Sequence, residues 1–132
     1  MDISKNLLLK LLYLLDKSQI LRLLYYKNDR SPKSMTKPQK ILFDNASIAY
    51  SLGSADSGKV RESFLASAFR NHAVGYPLKG DLLVDNRYLF EVGGSGKGFS
   101  QIANLPDSFI AADYMETGFG NKIPLWLFGF LY

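Results

Sequence analysis

The sequence predicts an α/β fold, and three observations predict it. Apolar residues alternate with polar ones over residues 80–92, Val60, Phe64, Leu65, Ala68 and Phe69 recur at helical spacing, and Phe109 to Ala112 form a short apolar run. Alternation marks strands, a 3.6-residue period marks an amphipathic helix, and an unbroken apolar run suits a buried strand.

In chain order, Ser4 is placed to cap a helix over 5–15. Leu7, Leu8, Leu9, Leu11, Leu12, Tyr13, Leu14 and Leu15 leave it only a thin polar stripe through Asn6, Lys10 and Lys17. Ser18 is placed to cap a second helix over 19–26 with Ile20, Leu23 and Leu24 on one face, so residues 1–26 read as a helical hairpin. Residues 27–39, KNDRSPKSMTKPQ, are polar, basic and broken by Pro32 and Pro38, which reads as a mobile linker. An α/β domain is expected over 40–132.

That domain opens with a strand over 41–43, followed by a helix capped by Asp44 or Asn45 and ended by Gly53. An amphipathic helix over 59–71 follows. An edge strand over 74–78 contains Pro77, which cannot donate to a ladder. After the 80–92 hairpin come a helical turn over 99–103, the strand 109–112 in parallel crossover, a turn at 118–121, and a closing helix over 125–131 behind Pro124.

The hairpin is the place where chemistry concentrates. Leu82 and Val84 share parity with Tyr88, Phe90 and Val92, so the even positions make one apolar face. If both sets are to be buried, a three-residue turn at Asp85, Asn86 and Arg87 is required, and Asp81 then stands opposite Glu91. A two-residue turn at Asp85 and Asn86 would pair Asp81 with Phe90 instead; burial of the apolar set favours the first register. Opposed carboxylates repel by about 0.2–1 kcal/mol unless a cation, a proton or a basic side chain lies between them. Oxygen ligands of this kind suit magnesium or manganese. The bland alternative is that both decorate a solvated sheet face beside Arg87 and Lys97.

Composition narrows the chemistry. A chain of 132 residues, 47% hydrophobic, has enough material for one domain with a true core. There is no cysteine and His72 is the only histidine, which excludes thiolate metal sites and zinc sites built on several histidines; His72 reads as a capping or packing residue. The leucine run is too short for a membrane span and lacks a signal-peptide cleavage pattern, so a cytoplasmic protein is expected. The net charge of +4 is uneven. Residues 1–40 carry nine Lys or Arg against three Asp, while the remainder carries seven against nine acids, so a basic arm for nucleic acid is one reading of the front segment.

Gly93 to Gly98, GGSGKG, invites comparison with a phosphate-binding loop. A Walker motif ending at Lys97 needs glycine where Glu91 stands and Ser or Thr where Gly98 stands, so ATP hydrolysis is not expected. Anion binding remains open if the loop leads into a helix N-terminus.

The segments KPQKILFDNASIAYSLG, RESFLASAF, GDLLVDNRYLFEVGG and GNKIPLWLFGFLY resemble the C-terminal part of a family of predicted bacterial AAA-type ATPases. The last domain of that family has no assigned function and a restriction-endonuclease-like fold. The resemblance covers 37–132, and the leucine-rich front is similar to the segment joining that domain to the ATPase module. It implies a core of helix, three strands, helix and strand, and a chain that is a truncated or stand-alone tail without the ATP site. It also implies that a helix glutamate, a strand aspartate and the carboxylate of an ExK triplet map to Glu62, Asp81 and Glu91, the carboxylates holding magnesium or manganese. Here the triplet reads Glu91, Val92, Gly93, and only Lys97, four residues on, offers a displaced lysine. The sequence therefore favours a non-catalytic, nuclease-like accessory domain that meets a second copy or a partner protein through Leu7 to Leu15. The alternatives are a metal-dependent nuclease using Asp81, Glu91, Lys97 and Glu62, and a DNA-binding tail.

Overall fold

The computed structural model describes residues 3–26, 32–53 and 55–131. The chain is mixed α/β, with a two-stranded sheet at the front and a five-stranded sheet behind it.

Helix α1 (Lys5–Lys17) begins where Ser4 Oγ accepts from Leu7 N at 3.2 Å and ends where the Ser18 hydroxyl donates to the Leu14 carbonyl at 2.8 Å. Leu9 is buried and Leu12, Tyr13 and Asp16 are half-buried, so this stripe faces the protein. Leu7, Leu8, Leu11, Leu14 and Leu15 share the opposite face and are exposed.

The second helix expected over 19–26 does not form. Gln19 adopts a left-handed φ of 60°, which breaks the helix, and Leu21–Leu24 become strand β1. β1 pairs antiparallel with β2 (Lys40–Phe43), Leu21 opposite Phe43 and Leu24 opposite Lys40. Pairing satisfies the facing backbone groups of both short strands, while Leu24 and Leu42 enter the main core. The front segment is thus a helix and a strand, not a helical hairpin. Of the linker expected over 27–39, residues 27–31 lie outside the described residues; the remainder holds a 3₁₀ turn at Lys33–Met35, and Gln39 N donates to Leu24 O at 2.8 Å.

Asn45 caps α2 (Ala46–Ser51) and Asp56 caps α3 (Ser57–Ala68), each side chain accepting from a first-turn amide. The larger sheet runs β3 (Val74–Gly75), β4 (Leu82–Val84), β5 (Tyr88–Gly93), β6 (Ser108–Ala112) and β7 (Lys122–Pro124) in spatial order. The pairs β3–β4 and β4–β5 are antiparallel, β5–β6 and β6–β7 parallel.

α3 covers one face of this sheet. Leu65, Ala66 and Phe69 pack with Leu82, Val84, Phe90, Val92 and Ala111, the even-numbered hairpin positions among them. Phe69, Phe90 and Phe128 meet with ring centroids 5.1–5.6 Å apart. Truncating a ring in such a cluster costs about 3–5 kcal/mol, so this contact carries much of the stability. The other face is covered by residues 99–105, whose Ile102 and Leu105 pack on Leu89, Ile110 and Ala112.

Residues 99–105 are successive turns, closed by Ile102 N to Phe99 O and Leu105 N to Ile102 O, and contain no helix. β7 adds a strand that the sequence reading lacks. The closing segment is a 3₁₀ helix, Leu125–Phe130, with Pro124 at its cap. Among the described residues no helix is long and apolar enough to cross a membrane.

Candidate carboxylate and lysine site

The hairpin takes the three-residue turn. Leu82 stands opposite Phe90, Leu83 opposite Leu89 and Val84 opposite Tyr88. Asp81 lies just before β4, where its backbone N also donates to Phe90 O, so the regular pairing ends at Leu82 and does not set Asp81 squarely opposite Glu91. Asp85 and Asn86 hold left-handed φ of 52° and 55°, a conformation these residue types tolerate. Asp85 fixes the turn by accepting from Ala73 N at 3.0 Å and pairing with His72 Nδ1 at 2.7 Å. The hydrogen bond from His72 holds the Asp85 carboxyl below its usual range. At the other end Gly80 has φ of 84° and a Cβ there would stand 3.0 Å from Leu89 Cδ1, so glycine is required for the chain to enter β4.

Glu91 is 1% exposed, which removes the reading in which both carboxylates merely decorate a solvated face. A buried carboxylate is costly unless paired and hydrogen-bonded. Lys97 Nζ lies 2.6 Å from Glu91 Oε1. The Gln101 carboxamide, its nitrogen turned to Glu91, donates to Oε1 at 2.9 Å and Oε2 at 3.0 Å.

Lys97 reaches Glu91 because residue 93 is glycine. A Cβ on Gly93 would stand 2.9 Å from Cβ, Cγ and Cδ of Lys97, so the lysine stem occupies the space that a side chain at 93 would fill. The Gly94–Gly98 loop is held from two sides: Lys97 N donates to Gly94 O at 3.0 Å, and Lys122 Nζ donates to Ser95 O at 2.5 Å. Lys122 is buried on β7, paired with Ile110, which is in turn paired with Glu91. The hydrogen bond from Lys97 to Glu91 raises the lysine pKa against the opposing effect of burial, and the charges of Asp81 and Glu62 raise it further. Lys97 is therefore a cation that senses all three carboxylates.

Asp81 is held by main chain. Its Oδ2 accepts from Val92 N at 2.7 Å, completing the β4–β5 ladder, while its backbone N donates to Phe90 O. Its Oδ1 lies 4.0 Å from Lys40 Nζ, and the same ammonium is paired with Glu62 Oε2. Burial pushes the Glu62 carboxyl up, the Lys40 hydrogen bond pulls it back, and Asp81 and Asp56 add to the rise.

Of the four residues singled out from sequence, Glu91 and Lys97 pair with each other, while Glu62 and Asp81 both lie at Lys40, Glu62 paired with it and Asp81 4.0 Å away. Among the described residues no group of three or more Asp, Glu, His or Cys is placed to hold one metal ion. Asp81 precedes β4 and Glu91 lies on the neighbouring β5, each carboxylate already bonded within the protein. Lys40, Gln101 and Lys122 were missed by sequence reasoning. Each comes from a distant part of the chain and belongs to no recognisable spacing. The expected helix N-terminus behind the glycine loop is absent, since turns follow it, and the anion site that depended on it goes with it.

Comparison of the chain with protein-family models, with curated proteins and with solved structures gives no match.

Proposed function

We propose that the chain is a metal-dependent nucleic-acid phosphodiesterase of the restriction-endonuclease-like kind, in which Lys97 takes the part of the missing ExK lysine. The single observation that carries this reading is the lysine stem lying over Gly93 with its ammonium on Glu91. A displaced lysine held by a buried carboxylate, a glycine gap and a pinned loop is a positioned group.

Asp81 and Glu91 would hold magnesium or manganese, which supplies Lewis acidity and lowers the pKa of a bound water. Val92 N and Gln101 fix the two carboxylates in orientation. Lys97, kept protonated by Glu91, is suited to donate a hydrogen bond to an attacking water or to charge developing on a phosphate oxygen, and not to act as a base. Glu62 and Lys40 set the charge on the α3 side of Asp81. The proposal is tested by cleavage of supercoiled plasmid and single-stranded DNA with magnesium or manganese, with Asp81→Asn purified identically; cleavage lost in the variant supports it, and no cleavage or equal cleavage by both proteins contradicts it.

A second reading, a non-catalytic domain that binds a partner, is favoured by one observation: the exposed leucine face of α1. Both readings fit a domain like the tail of the AAA-type ATPases that the sequence resembles. They part on whether Asp81→Asn changes any activity.

A further inference from the structure

The hairpin that carries Asp81 and Glu91 also carries an apolar pair one strand repeat away from them. Leu83 stands opposite Leu89, two residues from each carboxylate position, which is about 7 Å along a strand. Both leucines line a groove of about 580 Å³. Tyr26 and Tyr76 form another wall, their rings 5.8 Å apart at 59°. They are held there by a bridge between the front segment and the chain beyond β3, with Tyr76 N donating to Tyr25 O at 2.8 Å.

Two cations edge this apolar space. Arg87 is bonded to Asp107 at 2.8 Å, and Lys79 has no ion pair among the described residues. Lys79 also lines a smaller recess with Gly80 and Gln101, and Gln101 is the residue that donates to Glu91. Lys79 thus joins the groove to a recess whose Gln101 bonds Glu91.

We propose that this groove receives an unpaired base of a single-stranded nucleic acid, with a flanking phosphate at Lys79 and the adjoining phosphodiester at Asp81 and Glu91. The inference rests on the phosphodiesterase reading and names its substrate class. An aromatic and aliphatic slot accepts the flat faces of any base, whereas the bases of a duplex are stacked and must be extruded to enter it. The ammonium of Lys79, without an ion pair among the described residues, and a phosphodiester site one strand repeat away match the alternation of base and phosphate along a strand.

The test is fluorescence anisotropy of the full chain in EDTA with four labelled probes: an oligothymidylate, an abasic strand of equal length, an oligouridylate and a duplex. Binding of the oligothymidylate about tenfold tighter than the abasic strand and the duplex is expected, as for base stacking in other single-strand grooves. The oligouridylate arm tells whether RNA or DNA is the better ligand. Leu78, 92% exposed on the groove wall, contributes little to the core, so Leu78→Ser should lower the thymidylate-to-abasic ratio without changing the fold or the charge. Equal affinity for the base-bearing and abasic strands, an unchanged ratio in Leu78→Ser, or no binding to any probe would overturn the inference. Because binding is read without metal, base-dependent binding with no cleavage would reject the phosphodiesterase reading alone, and cleavage with no base preference would reject the groove alone.

Discussion

Lys97 and Gly93 share one side-chain space: the lysine stem lies 2.9 Å from where a Cβ on Gly93 would stand, and its ammonium reaches Glu91 Oε1 at 2.6 Å. A chain lacking a lysine at position 93 thereby gains one at nearly the same place from four residues further on.

Gly93→Ala should therefore be destabilising by about 1–3 kcal/mol, the usual cost of overpacking, because the displaced atoms are Cβ, Cγ and Cδ of Lys97 and not a free tip. Lys97→Gly should relieve most of that cost. Denaturant unfolding of the two single variants and the double variant would show strong coupling; additive changes would mean that the two residues do not compete for one space.

Glu62 gives a pH dependence with a definite sign. Burial raises its folded pKa above the ordinary value of 4.5, so between the unfolded and folded pKa values the native state binds more protons and stability falls as pH rises. Glu62→Gln should lack that fall. Unfolding midpoints of both proteins, measured upward from pH about 4.5, should diverge with rising pH in favour of the variant; parallel curves would contradict the assignment.

Lys122 holds the glycine loop through a single bond to Ser95 O. Lys122→Met keeps an unbranched stem in the buried position but removes the donor. The Lys97 amide, bonded to Gly94 O, should then exchange faster with solvent while the amides of β5 and β6 stay protected. Unchanged exchange at residue 97 would show that the loop holds itself.

The exposed leucines of α1 make a continuous face through Leu7, Leu11 and Leu14. A face of this kind is expected to self-associate or to bind a partner. Sedimentation of the full chain should show a dimer that Leu11→Lys with Leu14→Lys converts to monomer. A monomeric wild type would leave a separate partner chain as the occupant.

The hairpin register was legible because parity is a strict rule: five even-numbered apolar residues fix which positions face α3, and the three-residue turn with Leu82 opposite Phe90 follows. The amphipathic helix and the caps at Ser4 and Asn45 were legible for similarly local reasons. β1 was not, because Ile20, Leu23 and Leu24 fit a helical face while Leu21 and Leu23 fit a strand, and pairing with β2 across the chain decided between them. β7, only three residues long, gives no periodicity to read. In the site, Asp81 and Glu91 could be named from strand parity and Glu62 and Lys97 only through the family resemblance, but Lys40 and Lys122 arrive by tertiary contact alone, and the fit of Lys97 over Gly93 is a fact of three dimensions.

The most direct test is to move the lysine back. Metal-dependent cleavage of single-stranded DNA should be lost in Lys97→Gly, by about 100-fold or more for a positioned catalytic group. It should return in part when Gly93→Lys is added, since the vacated space lies beside Glu91, with Asp81→Asn as the blank. Cleavage by Lys97→Gly at the wild-type rate, or no metal-dependent cleavage by any of the proteins, would contradict a catalytic role for the displaced lysine.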